Sequence, residues 1–310
     1  MNKESTHPTM IGVGHLCVDI LGQMPHYPAE NTSNRMVASD IQAGGGASQA
    51  AVAYSRLGGA SGFIGYLGDD DHGDFLYNGL VEERVDVQYL QRKKGISSFS
   101  FACVSSENAS RTLFNYHQKL PSLDFNDQII SYMKNSRFIH VDTTHHENAL
   151  NAATIARSLG IPVTMDASSM LKDNEKNLLL AKSADYFISN SDYPCRLMED
   201  ENRERALKQI AQWGQKVVIA TLGEQGSMAV IDQEIVYFPA YKIKAVDTTG
   251  AGDVFHGAFV RALDLGYDLY ETVRFASAVS AIKCMSLGGR TGIPDLNTTL
   301  RFIEENPFEF

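Results

Sequence analysis

From about residue 137 onward, short apolar runs alternate with stretches of helical spacing. Phe138–Val141, Ile161–Met165, Tyr186–Ile188 and Val217–Ala220 are mostly apolar, rich in β-branched and aromatic residues, and of strand length. The stretches near 147–158, 172–183 and 202–213 between them predict helices. Such alternation implies βαβ units and a mostly parallel sheet. Nearer the start, Met10-Ile11-Gly12-Val13-Gly14 predicts a buried strand, and Phe63–Leu67 predicts another. Ser48–Leu57 predicts a helix ended by Gly58-Gly59. Helices near 253–265, 269–287 and 298–305 close the chain.

Two segments break this alternation. Residues 20–42 are mixed and polar, with Pro25 and Pro28. Over 96–117, Phe99, Phe101 and Cys103 alternate with smaller or polar residues. The polar turn Ser105–Ser110 and the run Thr112–Tyr116 follow, which predicts a β-hairpin. The two segments together predict one small lid sheet, for which the chain leaves the main body twice. The expected organisation is a single domain over 9–304, with the lid from about 20–42 and 96–117. No internal repeat or low-complexity tract changes this picture.

The 310 residues suffice for a large buried core, and 44% hydrophobic with 21% charged residues is a globular composition. A formal charge of −10 argues against nonspecific nucleic-acid binding and against an anionic membrane surface. Cys17, Cys103, Cys195 and Cys284 show no paired spacing, which fits reduced thiols and a cytoplasmic location. The first ten residues lack the apolar stretch of a signal peptide, and no apolar run is long enough for a membrane span.

Residues 247–257 carry the strongest chemical signal: Asp-Thr-Thr-Gly-Ala-Gly-Asp-Val-Phe-His-Gly. Gly250 and Gly252 permit a tight turn and close approach to a ligand. The helical spacing of Val254, Phe255, Ala258, Phe259 and Ala262 places the glycines at a helix N-terminus. Free amides and the positive end of the helix dipole make that terminus a phosphate site. The amides around Ala251 and Gly252 would hold charge on a transferring phosphoryl group, and Asp253 places a base beside it. A helix N-terminus lowers a carboxylate's pKa, so Asp253 is expected to be a weak base that orients a hydroxyl.

Asp-Thr-x-Gly-Ala-Gly-Asp resembles the signature of the ribokinase-like, PfkB-type carbohydrate kinases. The resemblance spans about 9–304. It implies an α/β three-layer sandwich with a mostly parallel central sheet and a small β lid. It also implies ATP-dependent phosphorylation of a hydroxyl of a sugar or sugar derivative, with Mg²⁺ as the partner of ATP. A nucleoside kinase of the same fold and a catalytically silent sugar-binding or regulatory protein are the alternatives. Homodimerisation through the lid is a habit of the family.

The resemblance assigns roles residue by residue. Asp19, after the first strand, would accept two sugar hydroxyls, and Gly44 and Gly45 of the run Ala43–Gln49 would lie against the sugar. Ser48 stands where the family has Asn; a plain helix N-cap is its other reading. Thr221, Gly223 and Gly226 match the Thr-x-Gly-x-x-Gly loop that borders the nucleotide. The helix over Ser277–Cys284, with Ser280, and the glycine loop after it would pack around adenine and ribose. Asn190 begins the family's Asn-x-x-Glu element, but Tyr193 replaces the Glu that organises Mg²⁺ and its waters; Asp192 is a substitute. In many relatives the positions of Asp247 and Thr249, with the loop near Ser286–Arg290, bind a monovalent cation such as K⁺.

The sequence looks closest to the sulfofructose-kinase branch of the family, through Phe275–Ser277, Lys283-Cys284 and the lid residues Asn115-Tyr116. That branch's sulfonate-reading arginine falls at Thr144, and its lid lysine near Asn34, beside Arg35. Choice of acceptor is expected to rest on Asn34, Arg35, Phe99, Phe101 and Asn115. His140, His145 and His146 match no zinc spacing. Asp69–Asp71 fail the calcium-loop pattern and read as a helix cap.

Overall fold

The computed structural model describes residues 7–107, 110–117 and 122–307. Asn108 and Ala109 of the expected hairpin turn, and the first six residues, lie outside the described residues.

Among the described residues, nine strands form one sheet in the order β13-β12-β11-β10-β9-β8-β1-β4-β5. Its centre is β1 (Met10–Val13), β4 (Ser61–Gly68), β8 (Phe138–Asp142), β9 (Val163–Ala167), β10 (Tyr186–Ser189) and β11 (Val217–Thr221), all parallel. The edge strand β5 (Leu90–Lys93) is also parallel, while β12 (Ser227–Ile231) and β13 (Glu234–Phe238) run antiparallel as a hairpin extension of β11.

The central strands are buried on both faces, which is why they read as continuous apolar runs. One face packs on α1 (Gly46–Arg56), α2 (Asp71–Glu82), α8 (Ala251–Leu265) and α9 (Leu269–Cys284), with α10 (Leu296–Glu305) outside α9. The other packs on α3 (Asp127–Lys134), α4 (His146–Ser158), α5 (Asn174–Ser183), α6 (Tyr193–Met198) and α7 (Arg203–Ala211). Alternate residues of one strand serve different faces: Met10 joins the first core, Ile11 and Val13 the second. The result is a three-layer α/β sandwich.

A second sheet has the order β3-β2-β6-β7, from β2 (Cys17–Met24), β3 (Ala38–Gly44), β6 (Phe99–Ser105) and β7 (Arg111–Tyr116). Its register puts Asp19, Ser100 and Asn115 on one face, and Ile41, Phe101 and Phe114 on the other. The first face lies over the main body, where Leu21, Ala102 and Val104 pack with Leu287. Phe99 and Phe101 therefore face away from Asp19. Phe99 packs on His72, 5.9 Å between ring centroids, and Phe101 is 48% exposed. The expectation that these two rings choose the acceptor is overturned by the two-residue period of the strand. Asn34 is exposed and donates to the carbonyl of His26.

Helices α2, α3, α7, α9 and α10 start on their own capping side chains, whereas α1 takes its start from another strand. Helix α1 begins two residues before the expected Ser48, because Asp142 accepts the amide of Ala47 at 2.9 Å. Asp70, within the expected capping run, caps α2 by accepting from the amide of Gly73. The hydrophobic spacing does not signal α2 because Gly73 and Gly79 dilute its pattern. Helix α9 ends at Cys284, three residues short of the expected end, and its last turn gives way to a loop that takes part in the site.

Candidate functional site

The parallel strands end together, and β1 is where the strand order reverses, between β8 and β4. In open α/β sheets a ligand crevice forms at such a switch point. Asp142, the last residue of β8, is buried there. Its Oδ2 accepts from the amides of His15 (2.6 Å) and Ala47 (2.9 Å), and its Oδ1 from that of Thr144 (2.9 Å). One carboxylate thus joins the loop after β1, the start of α1 and the loop after β8.

Asp19 enters this crevice from the small sheet. Its Oδ1 accepts from Ser100 Oγ at 2.5 Å. Burial raises its pKa, against the opposing pull of the Ser100 and Cys17 bonds and the charges of Arg290 and Arg111. Gly44 pairs with Cys17 across the strands, so closely that a Cβ on Gly44 would fall 2.0 Å from Asp19 Oδ2. Glycine at 44 is what allows Asp19 its position. Gly45 is the N-cap of α1.

Ser48 requires a correction. It lies inside the first turn, fully buried, and its hydroxyl donates to the carbonyls of Gly44 (2.7 Å) and Gly45 (3.0 Å). It neither caps the helix nor faces the crevice; it holds the glycine turn. His15 lies beside Asp19's loop, its ring edge-on to those of His117 and His145. Burial holds His15 well below the ordinary imidazole pKa, and the two neighbours add to the effect.

The loop 247–250 leads into α8. Gly250 adopts φ 73°, ψ 5°, a left-handed turn that favours glycine, and Gly289 lies 3.1 Å from where its Cβ would be. The amide of Ala251 turns back to the carbonyl of Thr248 at 3.2 Å, and its carbonyl accepts from Ser280 Oγ at 2.7 Å. That leaves the amides of Gly252 and Asp253 at the open helix end, among the described residues. Ala251 is therefore a fixed point of the loop, and the expected anion donors shift one residue along. Gly252 is exposed, with nothing within 4 Å of where a Cβ would stand.

Asp253 overturns the expected direction of its pKa. Burial at the crevice floor, with the carboxylate of Asp166 close by, pushes it up to about 7, against the opposing charges of His256 and Arg111. The helix terminus alone would lower it; desolvation and a like charge outweigh that here. Asp166 itself is held below the ordinary carboxylate range, because His256 and His140 outweigh its own burial. His256, one turn after Asp253 on α8, stands 3.3 Å from Asp166.

A pH profile checks this arrangement. A base must be ionised to accept a proton, so kcat/KM is expected to fall about tenfold per pH unit below the pKa of Asp253. Asp166→Asn removes the like charge, lowers that pKa, and moves the acidic limb to lower pH. An acidic limb that stays in place in Asp166→Asn would show that Asp253 is not the group titrating.

On the nucleotide side, Thr221 ends β11 and its hydroxyl donates to the carbonyl of Ser189 at 3.1 Å. The expected hairpin turn follows, closed by the amide of Leu222 on the carbonyl of Gly226 (2.7 Å), with Gly223 exposed. Asn190 is engaged by its own loop. Its Oδ1 accepts from the amides of Asp192 (3.2 Å) and Tyr193 (3.0 Å), and its Nδ2 donates to the carbonyl of Ser168 (3.1 Å). Tyr193 is buried, its ring 5.9 Å from that of Phe187. The position expected for a magnesium-organising Glu is thus part of the core. No cluster of His, Cys, Asp or Glu suited to a metal ion is present among the described residues.

Arg111 escapes sequence reasoning. It opens β7 on the face that carries Asn115 and Asp19, and its guanidinium reaches Thr248 Oγ1 (3.3 Å) and the Thr248 carbonyl (3.5 Å). A single Arg in a hairpin gives no signal; only the sheet register aims it at the loop. Asn115 is exposed on the same face.

A helix end that offers two amides, beside a carboxylate of raised pKa at the switch point of a parallel sheet, is an arrangement suited to moving a phosphoryl group to a hydroxyl. The sequence pattern described as pfkB family carbohydrate kinase matches residues 11–296, and the chain belongs to that family. It is 26% identical to ATP-dependent 6-phosphofructokinase of Thermoanaerobacterium thermosaccharolyticum, over 82% of this chain and 83% of that one. It is 24% identical to a nucleoside kinase of Methanothermobacter thermautotrophicus, over 94% of each chain. The structure of Arabidopsis thaliana ribokinase complexed with ribose and ATP matches with a TM-score of 0.83 at 23% identity, covering 96% of this chain and 99% of that one. The fold is therefore the ribokinase fold, and the activity is ATP-dependent phosphorylation of a sugar-class hydroxyl. No helix among the described residues is long and apolar enough to cross a membrane.

Proposed function

We propose that the acceptor sugar lies across the crevice between Asp19 and Asp253, with its reactive hydroxyl on Asp253. The raised pKa of Asp253, beside the open amides of Gly252 and Asp253, is the observation that supports this reading most directly. Asp19 accepts two other hydroxyls, and Gly44 and Gly45 let the sugar lie against the backbone. The hydroxyl oxygen attacks the γ-phosphorus of ATP, the bond to the β-phosphate oxygen breaks, and the hydroxyl proton passes to Asp253. Negative charge on the transferring group is met by the two amides and by Arg111. In a loose transition state this positioning does more than basicity.

ATP runs from that helix end along Thr221, Gly223 and Gly226 towards Ser280 and the loop after α9. Mg²⁺, bound with ATP, would neutralise charge on the phosphates. Asn190 is engaged by its loop and Tyr193 is buried, so Asp192, exposed on the same loop, would be the acid to hold a water of the ion.

The small sheet acts as a lid, and Arg111 joins it to the catalytic loop when it is down. Excluded water then cannot compete for the phosphoryl group. Thr144, where the sulfofructose-kinase branch has its arginine, offers a hydroxyl, which supports an acceptor without a sulfonate at that end. The outer lid face, with Ile41, Phe101 and Phe114 exposed, is the surface that a second copy would cover. Four free cysteines support a cytoplasmic, reducing location.

The test is ADP release in the presence of hexoses, ketoses, pentoses, sugar phosphates, sugar acids and nucleosides. A sugar that releases ADP well above the water background supports the reading. Release with nucleosides alone would replace it by the nucleoside-kinase alternative, and release with none by a silent binder.

A further inference from the structure

The monovalent cation expected at Asp247 and Thr249 does not fit the chemistry of those groups in this chain. Asp247 is fully buried, and three donors already hold its carboxylate. Oδ1 accepts from the amide (2.8 Å) and hydroxyl (2.7 Å) of Thr249, and Oδ2 from the amide of Gly288 (2.7 Å). The backbone carbonyl of Asp247 accepts from Lys283 Nζ at 2.9 Å. Lys283 lies in the last turn of α9, and its relative exposure is 0%.

We infer that the Lys283 ammonium is a tethered cation, standing in the chain for the monovalent ion and positioning the loop 247–252 for phosphate. The inference rests on the reading of that loop as the phosphate cradle. Three observations carry it. An ammonium withdrawn from water is retained only against strong acceptors, and Asp247 supplies its carbonyl at 2.9 Å together with the charge of its carboxylate. The same residue that holds Lys283 also pins Gly288, and Gly289 abuts Gly250, so the lysine sits where the two halves of the site meet. A second cation on the oxygens of Asp247 would share that residue with Nζ, and like-charge repulsion would weaken its binding.

Lys283 is therefore a positioning residue. It touches neither the acceptor nor the transferring group, and acts by fixing the carbonyl of Asp247 and hence the turn at Gly250. Burial lowers the pKa of this ammonium, and Cys284, Asp247 and Asp253 oppose that shift while Arg111 adds to it.

The experiment compares the wild type, Lys283→Ala and Lys283→Met in tetramethylammonium buffer, with and without K⁺ or NH₄⁺. Turnover and thermal unfolding are both read. The wild type is expected to show unchanged turnover and melting when K⁺ is added. Lys283→Ala is expected to lose about tenfold or more in kcat, as misplaced catalytic groups do. K⁺ or NH₄⁺, entering the space left by the side chain, is expected to restore part of that loss and raise the melting temperature of this variant alone. Lys283→Met fills the space without charge, and is expected to lose turnover with no recovery.

A wild type activated by K⁺, or stabilised by K⁺ beyond tetramethylammonium, would overturn the inference. So would full turnover in Lys283→Ala, or a loss in it that no cation touches. If neither variant folds, the wild-type response to K⁺ decides alone. If no acceptor supports turnover, the kinase reading falls while melting still decides the role of Lys283.

Discussion

Asp253→Asn is expected to lower kcat by about a thousandfold or more, the scale of a lost general base in a positioned site. ATP is expected to bind with unchanged affinity, because the amides of Gly252 and Asp253 remain and the new side chain is isosteric. Single-turnover rates and calorimetric nucleotide binding measure the two halves of the statement. The variant also discriminates between sources of catalysis. Removing the ionisable group leaves the anion donors and the Arg111 charge in place, so the residual rate reports what positioning alone supplies. Retention of near-normal turnover would exclude Asp253 as the proton acceptor. A joint loss of turnover and ATP affinity would instead point to a collapsed loop.

Asp19→Ala and Gly44→Ala are expected to impair the acceptor step alike, although only Asp19 carries a functional group. Two hydrogen bonds to a carboxylate contribute about 1.5–3 kcal/mol each, so a fall of about a hundredfold or more in acceptor kcat/KM is expected for Asp19→Ala. A Cβ on Gly44 would lie 2.0 Å from Asp19 Oδ2, so alanine there must drive the carboxylate out of its place. If both changes act through that carboxylate, the double variant loses little beyond either single one. Additive losses, or full acceptor kcat/KM in Gly44→Ala, would show that the turn and the carboxylate work separately. The KM for ATP is expected to stay the same throughout, since neither residue borders the nucleotide loop.

The central sheet and its helices were legible because burial on both faces leaves continuous apolar strands and periodic helices in the chain itself. The small sheet was signalled by two segments that break the alternation, of which only 96–117 carries a period of two. Its orientation was not. A one-residue change of phase decides whether Phe101 or Ser100 meets Asp19, and pairing with β2 settles that phase. The same limit hides Arg111, which becomes relevant only because β7 aims it at Thr248. Ser48 misled for a related reason: its type suits a helix cap, but Asp142 from another strand starts the helix earlier.

The sequence by itself determined the sandwich, the glycine turn into α8 and the carboxylate at its mouth, because each depends on residues close together in the chain. Tertiary structure alone decided what that carboxylate is. Asp166 reaches Asp253 from β9, and His256 faces Asp166 from α8, so a pKa expected to fall is raised. Likewise, a loop whose residues suggest a bound cation meets the ammonium of Lys283 from α9. Desolvation and Coulomb energy depend on distance through space, and no spacing along the chain encodes them.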